Sequence, residues 1–263
     1  FFNLAFSVLR TTQNCSSVVP TLSLMEFIML KIRVWDLPLR LFHWALALSV
    51  IGAYVCIKAA AQTTGWFASA GVDWMYWHTM LGYATVALIL FRLLWGIFGP
   101  RYARFSQFVR GPSTIMAYFR GEYHGLGHNP LGALSVIALL LVFGFQGFSG
   151  LFIDDFLWPG PLASLDSAWS KTLSSLHRQN EIIMLVLFAL HIAAIIYYRV
   201  FQNKNLVPAM ITGNKQVTSD QAALGIQDNV AVLIRGLIIF AICAGFVYWL
   251  TSLGGGASAD SFM

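Results

Sequence analysis

Apolar residues gather along this chain into five long blocks, roughly 41–61, 76–98, 130–153, 176–200 and 230–252, with polar and helix-breaking residues between them. Each block reaches the length of about 20 residues that a helix needs to cross a hydrocarbon layer. Their edges are marked. Asp36 and Pro38 stand before the first, Gly99 and Pro100 follow the second, and Asn129 and Pro130 open the third. Trp35, Trp44, Trp74, Trp77, Trp95, Trp158 and Trp249 fall near block ends, where an aromatic belt meets a membrane surface. The pattern predicts an all-α integral membrane protein, a transmembrane bundle of five spans.

Composition strengthens that expectation. Of 263 residues, 58% are hydrophobic and 10% charged, with mean hydropathy +0.70; a soluble domain carries about 25% charged residues. A soluble all-helical core is the other reading, and five blocks this apolar argue against it. The net charge of +5 raises the question of nucleic acid, but its distribution answers to membrane topology instead. Lys31, Arg33 and Arg40 precede span one, and Arg92, Arg101, Arg104, Arg110 and Arg120 end span two or follow it. Arg199, Lys204 and Lys215 follow span four, and Arg235 begins span five. The opposite segments hold Lys58, Lys171 and Arg178 with Asp73, Asp154, Asp155 and Asp166. The positive-inside rule then puts the N-terminus in the cytoplasm and the C-terminus outside.

Cys15, Cys56 and Cys243 form no CxxC or CxxCH, which excludes a covalently attached c-type haem, a zinc knuckle and a disulfide framework. They read as apolar filler. Residues 1–28 lack the basic, apolar and cleavage order of a signal peptide. They are taken as an incidental extension ahead of a start at Met25 or Met29.

Span four, SLHRQNEIIMLVLFALHIAAIIYYR at 175–199, carries His177 and His191 fourteen residues apart. That spacing returns close to one helix face and separates the two by roughly 21 Å along the axis. An imidazole inside a membrane is costly and marks function by default. Topology supplies partners at both depths. His43 lies near the cytoplasmic start of span one and His78 near the outer start of span two, so depth pairs His43 with His191 and His78 with His177. Any one of them alone reads as a polar residue at a helix end; two depth-matched pairs do not. Zinc also accepts imidazole but takes four ligands, or an open position beside carboxylates. Two imidazoles per level in apolar, aromatic surroundings fit axial ligation of b-type haem, closed and suited to electron transfer.

Weaker signals surround these pairs. Gly82, one turn after His78, leaves room for a porphyrin face, though helix packing explains it equally. Arg92, on the face of His78 at the cytoplasmic level, and Arg40, one turn before His43, are candidates for haem propionates; snorkelling explains either. Phe42, Trp44, Trp77 and Tyr83 are candidates for packing on the rings. His124 and His128 have the spacing of a helical metal pair, but Gly125, Gly127 and Pro130 argue for a loop, with a quinone head-group role as the alternative.

The chain resembles the bacterial cytochrome b561 and nickel-hydrogenase b-type cytochrome superfamily. The matching stretches are VWDLPLRLFHW (34–44), WHTMLGYATVALILFRLLWGIFGPRYARFSQFV (77–109), GHNPLGALSV (127–136), LHRQNEIIMLVLFALHIAAIIYY (176–198) and MITGNK (210–215). The resemblance implies a four-helix di-haem domain over 29–216, followed by a loop, a fifth helix and a tail over 217–263. It implies that His43, His78, His177 and His191 ligate two b haems, the outer held by His78 with His177 and the inner by His43 with His191. Such proteins sit in the bacterial inner membrane as multi-pass proteins. They pass electrons between the quinone pool and a periplasmic partner, a cytochrome c, a hydrogenase or another oxidoreductase. An electron-transfer subunit is therefore expected ahead of an independent enzyme, with membrane lipid and quinone as partners and no nucleic acid. Two other classes stay open at this point: a stand-alone quinol oxidase-type or small-acceptor reductase such as a superoxide:quinone oxidoreductase, and a haem-free anchor or transporter.

Overall fold

The computed structural model describes residues 30–122, 125, 127–217 and 224–253. The extension over 1–28 and His124 lie outside them.

Five helices are long and apolar enough to cross a membrane: span one Leu37–Ala60, span two Trp74–Phe98, span three Pro130–Gly150, span four Ser167–Val200 and span five Val230–Leu253. The polar residues at the block edges turn out to be caps. Asp36 accepts from Leu39 N, Asp73 from Tyr76 N, Asn129 from Gly132 N, and Asp166 from Ala168 N and Trp169 N. Each carboxylate or amide satisfies donors that a helix start leaves without intrahelical partners.

Two boundaries differ from the sequence expectation. Span one starts at Leu37, so Pro38 sits in its first turn and not ahead of it. Proline lacks an N–H, but the first turn has no use for one. Span four starts at Ser167, nine residues before the apolar block. Its 34 residues measure roughly 51 Å, against a hydrocarbon core of about 30 Å, so its first turns stand beyond the apolar layer. There Ser170, Leu173 and Ser174 are buried against the outer loop, and Ser170 Oγ donates to Ala163 O at 2.7 Å.

A short antiparallel ladder joins β1 (Leu30–Arg33) to β2 (Asn214–Val217), with Leu30 opposite Val217 and Arg33 opposite Asn214. It ties the entry of span one to the segment after span four. Gly213, at φ +82°, turns the chain into β2, and its carbonyl accepts from Val34 N and Trp35 N at 2.9 and 3.1 Å. Asp228 completes the clamp: it takes Leu37 N at 3.0 Å, pairs with Arg33, and lies 3.5 Å from Arg40.

Small residues set the helix contacts. A Cβ at Gly52 would stand 2.9 Å from Leu81, fixing span one against span two, and one at Gly147 would stand 2.8 Å from Val86, fixing span three against span two. Gly236 brings span five against Pro38 and Trp95. Cys56 and Cys243 are free and buried, as filler residues are.

Candidate functional site

Span four faces two different helices at two levels. The rings of His191 and His43 lie 6.5 Å apart between centroids with 50° between planes. The rings of His177 and His78 lie 6.4 Å apart at 89°. A bound metal lies about 2.0 Å from an imidazole nitrogen, itself about 1.1 Å from its ring centre, so two rings on opposite sides of one ion have centroids roughly 6.2 Å apart. Both separations match that requirement. Among the described residues no group of three or more His, Cys, Asp or Glu side chains converges. Each level therefore offers two protein donors, as an ion whose other positions belong to a porphyrin needs.

Hydrogen bonds fix the outer imidazoles. His78 Nδ1 stands 2.8 Å from Ala53 O, and His177 Nδ1 stands 3.0 Å from Gln146 O. A carbonyl can only accept, so both rings carry their proton on Nδ1 and leave Nε2 as a lone pair. A second contact agrees: the Gln146 amide donates toward His177 Nε2 at 3.1 Å, and also to His177 O at 3.2 Å. A metal held at Nε2 would take the place of the first of those bonds. Asn180 holds the carboxamide in place, donating to Gln146 Oε1 at 2.8 Å and to Val142 O at 3.2 Å. The inner pair is dressed differently. His43 Nδ1 is buried with no hydrogen-bond partner among the described residues, and Trp44 meets its ring edge-on at 5.1 Å.

The remaining sequence candidates fall as follows. A Cβ at Gly82 would meet nothing within 4 Å, so the chain leaves open space one turn from His78. Phe42 is buried and packs on Phe91 at 6.2 Å, Trp77 is exposed beside Tyr76, and Tyr83 is half-buried. Arg40 donates to Ile211 O and approaches Asp228. Arg92 is 2% exposed; Phe105 covers its guanidinium at 4.6 Å, Phe108 lies at 5.9 Å, and neither Nη1 nor Nη2 has a hydrogen-bond partner among the described residues. A buried guanidinium in that condition is prepared for an anionic or carbonyl acceptor.

Beside Arg92 stand two groups that the sequence did not single out for this place. Asp36 is fully buried, with Oδ1 accepting from Trp95 Nε1 at 3.0 Å; burial raises its pKa, while hydrogen bonds from Leu39 and Trp95 oppose the rise. The His128 ring is held between Trp35 at 4.5 Å and Phe108 at 4.6 Å, and burial, aided by Arg92, pushes its pKa down to about 3. His128 lies in the loop before span three, as the glycines and Pro130 predict, with its ring packed and neutral. Gln146, Ser149 and Asn180 were also missed, although a glutamine inside span three and an asparagine inside span four are polar interruptions visible in the sequence.

Paired imidazoles from different helices, enclosed in an apolar bundle, fit a membrane cytochrome of the b type. Comparison with known proteins makes the assignment particular. The chain belongs to the family of prokaryotic cytochrome b561, whose pattern matches residues 34–213. It is 23% identical over 229 residues to a protein of Azotobacter vinelandii described as a "Probable Ni/Fe-hydrogenase B-type cytochrome subunit", covering 72% of this chain and 90% of that one. No solved structure matches it. The chain is a multi-pass membrane protein of haem-b electron transport.

Proposed function

We propose that this protein is a di-haem b-type cytochrome that carries electrons across the bacterial inner membrane between the quinone pool and an extracytoplasmic redox partner. The observation that carries the reading is the pair of imidazole couples at 6.5 and 6.4 Å, both anchored on span four but reaching span one and span two. Bound haem would supply reversible one-electron chemistry. The chain does the rest. His43 with His191 holds the inner group and His78 with His177 the outer, from helices whose caps and glycine contacts fix their register. Gly82 leaves room beside the outer ligand. Arg92, with two unpaired Nη groups, receives an inner propionate, and Arg40, shared with Asp228, receives another. The core domain runs over 29–216, with span five added against spans one and two. The Azotobacter relative's description supports an oxidoreductase as the partner.

A pyridine haemochrome assay with reduced-minus-oxidised spectra tests this. Two b haems per chain are expected, falling to one in His191→Ala. Fewer than two in the unaltered chain, or full loading after His191→Ala, refutes the reading.

A further inference from the structure

Away from the histidines, one face of span three borders two crevices, and Ile137 lines both. The smaller is bounded by Arg110 and Ile115 ahead of the span and by Pro130, Ala133 and Leu134 in its first turns. The larger, about 700 Å³, runs between spans two, three and five. Span two contributes Leu90 and Leu93 to it, span three Leu141 and Phe148, and span five Phe246 and Leu250. From Ile137 to Leu151 it follows span three for fourteen positions, roughly 21 Å. One leaflet supplies only half of a hydrocarbon core of about 30 Å. Every side chain lining this groove is apolar. Its arginine-rich end is firmly built: Phe105 lies against span two because Gly96 has no side chain to meet its ring, and Arg92 stands over that ring at 4.6 Å. Further cations surround the same end. Arg104 precedes Phe105, Arg110 borders the smaller crevice, and Arg235 at the start of span five donates to Phe98 O at 3.2 Å. All three are exposed, and among the described residues no carboxylate pairs with any of them.

We propose that the groove between spans two, three and five binds an anionic glycerophospholipid, one acyl chain lying along span three and the phosphate-bearing head group standing at Arg104, Arg110 and Arg235. Walls without polar atoms cannot hold a head group, so the polar end of an occupant stands where the groove meets the membrane surface. The charge waiting there is positive and unpaired, and basic pockets between membrane helices select anionic head groups. The groove is longer than one leaflet is deep, so a chain entering from the arginine-rich surface fits along its full length. A neutral quinone head would find no donor among the lining side chains and would gain little from three guanidinium groups. A second copy inserted with the same topology would bring its own arginines against these, like charge facing like. The proposal stands on the chain's place in a membrane and not on the number of haems.

Native mass spectrometry of the full chain, stripped of lipid in detergent and titrated with phosphatidylglycerol or phosphatidylcholine of identical acyl chains, tests this. Phosphatidylglycerol should occupy one site at least about tenfold more tightly than phosphatidylcholine. Arg110→Gln/Arg235→Gln should weaken phosphatidylglycerol by about 25-fold, near fivefold for each arginine, and leave phosphatidylcholine unchanged. Leu141 is 67% exposed, so Leu141→Trp fills the groove without displacing the core and should weaken both lipids. If Leu141→Trp does not fold, Phe246→Trp fills the groove from span five. Equal binding of the two lipids, or an arginine variant that weakens both alike, overturns the proposal. So does phosphatidylglycerol binding that the filled groove leaves unchanged, which is attraction to the charged surface alone. A co-purifying quinone or a second copy of the chain that the filled groove expels gives the groove another occupant and overturns it as well.

Discussion

Replacing Asp36 tests the packing at the start of span one most directly. Its Oδ1 accepts from Leu39 N at 2.9 Å and from Trp95 Nε1 at 3.0 Å, and both Asp36 and Trp95 are fully buried. Losing the cap costs about 0.5–2 kcal/mol, and stranding a buried indole N–H costs about 1–3 kcal/mol. Asp36→Ala should therefore lose roughly 2–4 kcal/mol. Asp36→Asn keeps an acceptor oxygen for both donors and should lose little. The pH dependence gives an independent check on sign. Burial is the largest influence on this carboxyl and raises its pKa from 3.8. A carboxyl raised in the fold contributes stability that is fully present below its unfolded value and is lost as pH rises through the folded one. At pH 7 the ionised form is thus at a disadvantage that the amide does not share, so Asp36→Asn should equal or exceed the parent there. Thermal unfolding in detergent, followed by circular dichroism at pH 7, should show Asp36→Ala lower by roughly 5–15 °C. Equal losses in Asn and Ala would refute the hydrogen-bond argument, and an unchanged Ala variant would refute the cap itself.

Other outcomes follow from the same geometry. Gly213→Ala places a side chain at φ +82° and its Cβ 2.5 Å from Trp35 O, so it should cost at least about 1–2 kcal/mol and loosen the β1–β2 ladder, read by amide exchange in Leu30–Arg33. His128, with its pKa lowered to about 3, contributes stability present above pH 6.5 and lost as pH falls toward 3. His128→Phe should flatten that acid limb, whose slope is at most about 1.4 kcal/mol per pH unit. Asn129→Ala removes the cap on Gly132 N and the 2.6 Å bond to Tyr198 Oη, and should cost about 1–2 kcal/mol in the same unfolding assay. Lys58→Ala breaks an exposed 2.6 Å ion pair to Glu181 and should leave the unfolding temperature unchanged.

The spans were legible because a hydrocarbon layer imposes a length and a composition that few other environments demand. The start of span four was not, because Ser167 to Ser175 is polar and its helix depends on the Asp166 cap and on burial of Ser170 and Ser174 beneath the outer loop. The β1–β2 ladder was equally hidden. Four-residue strands about 180 positions apart have no periodicity of their own, and Asp228, which binds Arg33, Arg40 and Leu37 N, gives no local sign that it will meet them.

The site divides along the same line. Histidine is rare inside a membrane, so four of them at two depths could be read from spacing and loop charge alone. What hydrogen-bonds to them could not. Two of the three acceptors on the outer imidazoles are backbone carbonyls, of Ala53 and Gln146, and any residue provides a carbonyl. The third is Ser149, a small residue that in a span usually signals only close packing. The candidate ligands are thus written in side chains, while the hydrogen bonds on their rings are written in where the neighbouring helix places its main chain. On the proposed di-haem reading, a relative that keeps His43, His78, His177 and His191 keeps the capacity for the same cofactors. The hydrogen bonds behind the outer rings would follow only if spans one and three also kept their register against His78 and His177, which makes Gly147 against Val86 and Gly52 against Leu81 as relevant to ring orientation as the histidines themselves.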